Sequence, residues 1–183
     1  MYHRAAVAHK KLFYSGLDIS LYLKKWSCAL EEKAVKATHD CSHYNVNKED
    51  HGQNIYYTND GEYVQKKGMN KVIYDAMYLW TMPAEYYSTK IEKPQFKAFN
   101  VTKYRNTAML TFVNMAYDKN YEIGCNYEQC FDRNGNVTEA VVLCFYKNIL
   151  TGGAEIYVLG DGKGCKDNLC PLSNTCNGLL CRL

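Results

Sequence analysis

The spacing of apolar residues in the first part of the chain predicts two helices. A weak pattern over residues 3–13 indicates a short helix that ends at Ser15-Gly16. Asp18 is positioned to cap a second helix with a much clearer pattern. The apolar positions of this helix recur three or four residues apart and share one face; they are Ile19, Leu23, Trp26, Leu30, Ala34, Ala37 and Cys41.

The middle of the chain predicts a short strand and two further helices. Residues 54–58 are strand-like, and the turn sequence Asn59-Asp60-Gly61 follows them. The next apolar stripe predicts a helix that ends at Pro83. Its members are Met69, Val72, Ile73, Ala76 and Trp80. Residues 102–117 predict another helix, with Ala108, Phe112, Met115 and Ala116 on its apolar side.

The pattern then changes from helical periodicity to strands. Residues 121–131 and 137–146 predict a β-hairpin that turns at Arg133-Asn134-Gly135. Residues 154–159 predict a third strand, and a cysteine-rich tail follows Gly160. Helices followed by an antiparallel meander are typical of an α+β fold in which helices pack on a sheet.

Composition restricts the classes of function. The 183 residues suffice for one domain, and 47% hydrophobic with 22% charged residues is ordinary for a soluble globular protein. The net charge of +3 is spread along the chain, which disfavours a nucleic-acid partner. No apolar run approaches the ~20 residues that span a bilayer. No signal segment opens at Met1, so we expect either a cytosolic chain or one already trimmed to its mature form, in both cases not inserted in a membrane.

The cysteines favour an extracellular protein. None of the nine lies in a Cys-x-x-Cys zinc knuckle, so we expect disulfides and secretion. Two sequons, at Asn100 and Asn136, predict N-glycosylation and agree with this. We expect Cys130 to pair with Cys144 and Cys41 with Cys125, and Cys28 to be the unpaired cysteine of the odd set. The remaining cysteines, expected to crosslink the tail, are Cys165, Cys170, Cys176 and Cys181.

Several segments resemble, in the right order, motifs of the CAP superfamily of cysteine-rich secretory, antigen 5 and pathogenesis-related proteins. The residues from Trp26 to Glu31 and from Ala37 to Cys41 resemble its second helix, and Gly52-Gln53-Asn54-Ile55 resembles its Gly-Glu-Asn-Leu/Ile element. Phe112-Val113-Asn114-Met115-Ala116-Tyr117 resembles its His-Tyr/Phe-Thr-Gln-Met-Val-Trp helix. Ile123-Gly124-Cys125 and the residues from Val142 to Tyr146 resemble its paired strands, and the tail resembles that of nematode activation-associated secreted proteins.

This resemblance implies a three-layer α-β-α sandwich over residues 1–160, with residues 161–183 as a cysteine-rich extension packed on it. Residues 3–12 would be the back half of the family's first helix. The missing front half would then account for both the abrupt start and the odd cysteine.

Family members often hold two His and two Glu that bind a divalent ion in a central cleft, and here that set is degenerate. The resemblance places Gln53 at the first Glu, Thr111 at the second His, and Met82 or Pro83 at the second Glu. Only His43 matches, and one ligand of four does not make a metal site. His39, four residues earlier, is expected to face water, and His51 to be a loop residue. We therefore expect no metal and no cofactor.

No catalytic motif is present. The sequence has no Gly-x-Ser-x-Gly elbow and no phosphate-binding glycine loop, and residues 160–164 are expected to form a turn. A reactive cysteine with His43 as its base is disfavoured because disulfides use most of the thiols. We expect a binding protein rather than an enzyme.

The hookworm members of the family imply a specific function. They suggest a secreted antagonist of host platelet integrins that limits platelet aggregation and adhesion. Neither Arg-Gly-Asp nor Lys-Gly-Asp occurs in the chain, so the contact residues are unknown. A leukocyte-integrin antagonist and a sterol or lipid carrier, with a cavity near Tyr74, Met77 and Met82, are the alternatives.

Overall fold

The computed structural model describes residues 24–39, 41, 51–88, 109–117, 119–151, 176–177 and 180–181. For residues 84–88, 176–177 and 180–181 only the backbone is described. The helix predicted over residues 3–13, the cap at Asp18, the strand predicted over 154–159 and residues 102–108 lie outside this part.

Contacts divide the chain into two compact units. One comprises Trp26–Trp80 and Glu122–Ile149, and we call it the sheet unit. The other comprises Met1–Lys25, Thr81–Tyr121 and Leu150–Leu183. Most of the described residues belong to the sheet unit.

A four-stranded sheet forms the centre of the sheet unit. Its strands are β1 (Lys25–Trp26), β2 (Gly52–Thr58), β3 (Glu122–Phe131) and β4 (Val137–Tyr146), in the order β1-β3-β4-β2. β2 and β3 each pair antiparallel with β4, which confirms the predicted hairpin. Lys25 N donates to Tyr121 O, and Ser27 N donates to Ile123 O. The second bond lies two residues further along in both segments, so β1 runs parallel to β3. The sheet is therefore mixed.

Helix α1 (Cys28–Thr38) covers one face of β3 and β4. Leu30 and Ala34 pack with Leu143 and Phe145, so this part of the predicted apolar face is confirmed. The prediction of one continuous helix from Asp18 was wrong at Lys25–Trp26, which is strand. Pairing with β3 supplies backbone hydrogen bonds there, and this tertiary contact outweighs the helical pattern. The Trp26 side chain is 40% exposed rather than buried in the core.

Helix α2 (Gly61–Ser88) lies on the opposite face. It is broken at Gly68, whose φ of 74° is left-handed. Its buried side chains are Val64, Val72, Ala76 and Trp80. The Trp80 indole N–H of this helix donates to Ile55 O of β2 at 3.3 Å. Burial, followed by the Asp75 carboxylate of the helix, raises the pKa of the Tyr56 hydroxyl of β2. The sheet unit is thus an α-β-α sandwich.

The prediction that a helix ends at Pro83 was also wrong, because α2 continues through it to Ser88. A proline inside a helix lacks the N–H that would bond to the carbonyl four residues earlier, at Leu79. The loss of that one bond does not end the helix here.

The other unit contributes helix α3 (Met109–Ala116), which lies within the helix predicted over residues 102–117. Phe112 and Ala116 are buried, as the apolar pattern predicted. In the tail, β5 (Cys176–Asn177) pairs antiparallel with β6 (Leu180–Cys181). Cys176 and Cys181 face each other in this register.

The disulfide pairing differs from the prediction. Cys41 bonds to Cys130, and Cys125 bonds to Cys144. Cys125 and Cys144 are opposite each other in the hairpin, with Cα atoms 4.0 Å apart. Cys130 is opposite Glu139 instead, so about five residues of strand, or roughly 16 Å, separate it from Cys144. Cys28 is free and exposed.

Candidate binding surface

The residues at the degenerate metal positions carry poor metal donors. Gln53 lies in β2 opposite Phe145, partly buried. Thr111 is partly buried in α3, and Met82 of α2 is 41% exposed. His43 lies outside the described residues. The positions that the resemblance predicts to be remnants of a metal site carry an amide, a hydroxyl and a thioether, which are not the donors that a zinc-type ion prefers.

The histidines of the described part have ordinary surroundings. His39 is exposed at the end of α1, as the sequence predicted. His51 precedes β2, where its Nδ1–H donates to Lys147 O at 3.2 Å. The ring of His51 meets the ring of Phe145 edge-on at 6.1 Å. This histidine therefore fixes the entry to β2.

One group of potential metal ligands is already used. The ligand atoms of Cys41, Cys130 and Glu139 lie within 4.8 Å of one another. The two sulfurs form a disulfide, so neither is a thiolate. The Tyr57 hydroxyl donates to the Glu139 carboxylate, and this hydrogen bond raises the pKa of Tyr57. The group stabilises the hairpin next to its turn rather than presenting an ion site.

All six residues at the end of the β3–β4 hairpin, residues 131–136, are exposed. The register shifts between Cys130, opposite Glu139, and Phe131, opposite Val137. Such a bulge increases local twist and redirects side chains. Phe131 is 59% exposed, the highest value among the exposed large apolar side chains of the described residues.

Asp132 organises this turn. Its Oδ1 accepts hydrogen bonds from Asn134 N and Asn136 N, both at 2.8 Å, and its Oδ2 accepts one from Asn136 Nδ2 at 3.1 Å. The Asn136 side-chain bond, followed by the backbone bonds, holds the pKa of Asp132 below its usual value. Gly135 N donates to Asp132 O at 3.0 Å, with Gly135 at a φ of 81°.

Sequence reasoning identified this turn but not the exposure of Phe131 or the role of Asp132. The available indication was an Asp two residues before an Asn-Gly pair, an arrangement typical of turns closed by a side-chain carboxylate.

One of the two predicted sequons falls on the same turn. Asn136 is exposed, and the Thr138 hydroxyl donates to Cys130 O at 3.2 Å. Asn100 lies outside the described residues. Of the predicted tail cysteines, Cys165 and Cys170 lie outside them as well.

The outer face of α2 carries two further exposed aromatic side chains. Tyr74 and Tyr78 stack with ring centroids 6.5 Å apart, and are 50% and 41% exposed. Lys71 lies 5.3 Å from the Tyr74 centroid and forms an ion pair with Asp75. Met82, expected with Tyr74 and Met77 near a lipid cavity, is 41% exposed, and the lipid-carrier alternative stays a prediction.

Comparison with known proteins identifies the family. The family model for CAP, the cysteine-rich secretory protein family, matches residues 20–146, and the chain belongs to this family. The structure is similar to that of BmVAL-1, with 24% identity and a TM-score of 0.67 over 89% of this chain and 77% of that one. The hookworm platelet inhibitor matches at 21% identity and a TM-score of 0.51, over 77% of this chain and 63% of that chain.

A third solved structure extends the set of nematode-type neighbours. Na-ASP-1 matches at 19% identity with a TM-score of 0.55, over 89% of this chain and 37% of that chain. At these identities the likeness establishes the CAP-type α-β-α fold. No curated protein sequence matches the chain. Within the described residues, no helix is both long and apolar enough to cross a membrane.

Proposed function

We propose that this protein is a secreted, non-enzymatic CAP protein that binds host platelet integrins and thereby inhibits platelet aggregation and adhesion. In this proposal residues 1–160 form the CAP domain, and residues 161–183 form a cysteine-rich extension packed on it. The protein uses no metal or cofactor for this function.

The observation that carries the proposal is the crosslinked β3–β4 hairpin. Two disulfides, Cys41–Cys130 and Cys125–Cys144, tie its strands to each other and to the segment after α1. The hairpin ends in an exposed turn that its own hydrogen bonds hold in one conformation. A surface that is ordered before binding loses little conformational entropy on contact, which favours protein recognition.

Similarity supports the choice of partner. One structural neighbour is a hookworm platelet inhibitor, and the fold shared with it is a scaffold for such a function. The replacement of metal-type side chains at Gln53, Met82 and Thr111 agrees with a role that needs no catalytic ion. A leukocyte integrin is the alternative partner, and it is an arm of the same test.

The test is binding of the oxidised protein to immobilised platelet and leukocyte integrin ectodomains. We expect saturable binding to a platelet integrin, and loss of that binding in a sample reduced before the assay. A platelet-aggregation assay with the same two samples should show inhibition by the oxidised protein alone. Binding to a leukocyte integrin only would transfer the proposal to that partner. Absence of binding to either class at micromolar concentration would reject integrin antagonism.

A further inference from the structure

We propose that the hairpin end, residues 131–136, is the contact surface for the protein partner, with Phe131 and Arg133 as its anchors. The partner surface that matches these anchors is an apolar pocket bordered by a carboxylate. This inference rests on the proposed function and names the part of the molecule that performs it.

The first anchor is apolar. Phe131 is 59% exposed although its neighbour Cys130 is only 5% exposed and lies in the core. Because side chains alternate between the two faces of a strand, Phe131 points to the face opposite that of Cys130, at the end of β3 where the register shifts. A phenylalanine ring has a large apolar area and few rotatable bonds, so it gains much and loses little when a pocket takes it up. Exposed aromatic anchors of this kind often dominate interface energy.

The second anchor is a cation. Arg133 is exposed and makes no ion pair with any residue that the structure describes. Within the described residues no ion pair joins it to its neighbour Asp132, whose carboxylate instead accepts three hydrogen bonds from Asn134 and Asn136. The guanidinium is therefore available for two parallel hydrogen bonds to a carboxylate of the partner.

The two anchors share a rigid support. Asp132 N donates to Asn136 O at 2.9 Å, and Gly135 N donates to Asp132 O at 3.0 Å. These two backbone hydrogen bonds close the turn that follows Phe131 and contains Arg133. The Cys41–Cys130 disulfide holds the residue just before Phe131. Both side chains are thus presented from a backbone that needs no ordering on contact.

The outer face of α2 is less suitable as the contact surface. Its exposed rings, Tyr74 and Tyr78, already stack on each other, and Lys71 already pairs with Asp75 and lies over Tyr74. A partner would have to replace these internal contacts, whereas Phe131 and Arg133 have no such contacts to lose.

The proposal requires that Asn136, predicted as a glycosylation site, carries no glycan in the binding form, so the test compares variants of full-length, oxidised protein made without carbohydrate. Binding to the platelet and leukocyte integrin ectodomains is measured for Phe131→Ala, Arg133→Gln and the double variant. Tyr74→Ala and Lys67→Gln are matched controls, since they remove an exposed ring and an exposed cation elsewhere on the sheet unit. Phe131→Leu and Arg133→Lys test rescue by conservative replacement. Near-ultraviolet circular dichroism and thermal melting establish that each variant folds.

We expect each anchor variant to raise Kd about 10-fold or more, with the controls within about 2-fold of the wild type. Phe131→Leu should bind better than Phe131→Ala, and the effect of Arg133→Gln should shrink as salt is added. Wild-type binding that the double variant retains would overturn the inference and leave the proposed function intact. If the wild type binds neither integrin class, the proposed function fails and this inference fails with it.

Discussion

At the scale of single residues, Asp132 controls the conformation of the proposed contact surface. Its carboxylate accepts three hydrogen bonds from Asn134 and Asn136, and these bonds are stronger to the ionised form than to the protonated one. They hold the pKa of Asp132 below its usual value. A carboxyl with a lowered folded pKa stabilises the fold above its unfolded pKa, and the contribution is lost as pH falls through the lower folded value.

We therefore predict that the turn stays formed well below neutral pH and loosens only as pH falls through the lowered pKa of Asp132. The measurement is the pH dependence of the amide proton chemical shifts of Asn134 and Asn136 in NMR spectra. Both should titrate together with one midpoint below the usual pKa of an aspartate. Asp132→Asn should abolish this titration, and a midpoint that remained in that variant, or one above the usual aspartate pKa, would contradict the assignment.

The candidate site was partly predictable at this scale. Arg133-Asn134-Gly135 announces a turn, because these residue types have backbone preferences that do not depend on the rest of the fold. The outward direction of Phe131 follows from strand alternation, but its exposure depends on what covers that face of the sheet, which a local sequence pattern does not report. Asp132 lies next to the turn, but its three acceptor bonds depend on the positions that the turn gives to Asn134 and Asn136.

At the scale of elements, the hairpin was predictable and β1 was not. β3 and β4 are ten residues each, with a turn sequence between them, so local pattern suffices. β1 has two residues, and its hydrogen bonds reach Tyr121 and Ile123, almost a hundred positions away. The disulfides were mispaired for a related reason. Which cysteines meet depends on strand register, which composition and spacing do not specify.

The close approach of α1 to β3 leads to a prediction at this scale. A Cβ added at Gly124 would lie 2.2 Å from the backbone N of Glu31 and 2.5 Å from the carbonyl carbon of Leu30. Because backbone atoms cannot rotate away, the helix would have to move off the sheet and weaken the Leu30, Leu143 and Phe145 cluster. We expect Gly124→Ala to lower the free energy of unfolding by about 3 kcal/mol or more.

Gly68→Ala is the matched control for this variant. Gly68 has a φ of 74° and a ψ of 171° but no atom within 4 Å of an added Cβ, so only backbone strain of roughly 2 kcal/mol is expected. Chemical denaturation of both variants measures the difference. Equal destabilisation of the two would show that α1 does not pack on β3 as closely as the structure places it.

At the scale of the whole molecule, the CAP fold rests on apolar packing. The sheet unit keeps its two helical layers through Leu30, Ala34, Val72 and Ala76, all of which are buried. These side chains are apolar, so the packing that specifies the fold does not require the ligands of a metal ion.

The two disulfides allow a last prediction about the stability of the sheet unit. Cys41–Cys130 closes a sequence separation of 89 residues, and Cys125–Cys144 closes one of 19. By loop-closure entropy these crosslinks stabilise the fold by about 4.5 and about 3 kcal/mol. Replacing Cys41 and Cys130 by Ala should therefore destabilise the protein by roughly 1 kcal/mol more than replacing Cys125 and Cys144.

Denaturation of the two double variants tests this order, and peptide mapping without reduction tests the pairing itself. Cys28→Ser is the control, and it should leave stability unchanged because that thiol is free and exposed. A linked peptide containing Cys130 and Cys144 would contradict the pairing. If the shorter loop contributed more, native packing around Cys125 and Cys144, rather than chain entropy, would be the main source of the stabilisation.

The Cys41–Cys130 disulfide also leads to an expectation about binding. Loss of Cys41–Cys130 should weaken integrin binding even at temperatures where the variant remains folded, because that bond holds the residue before Phe131.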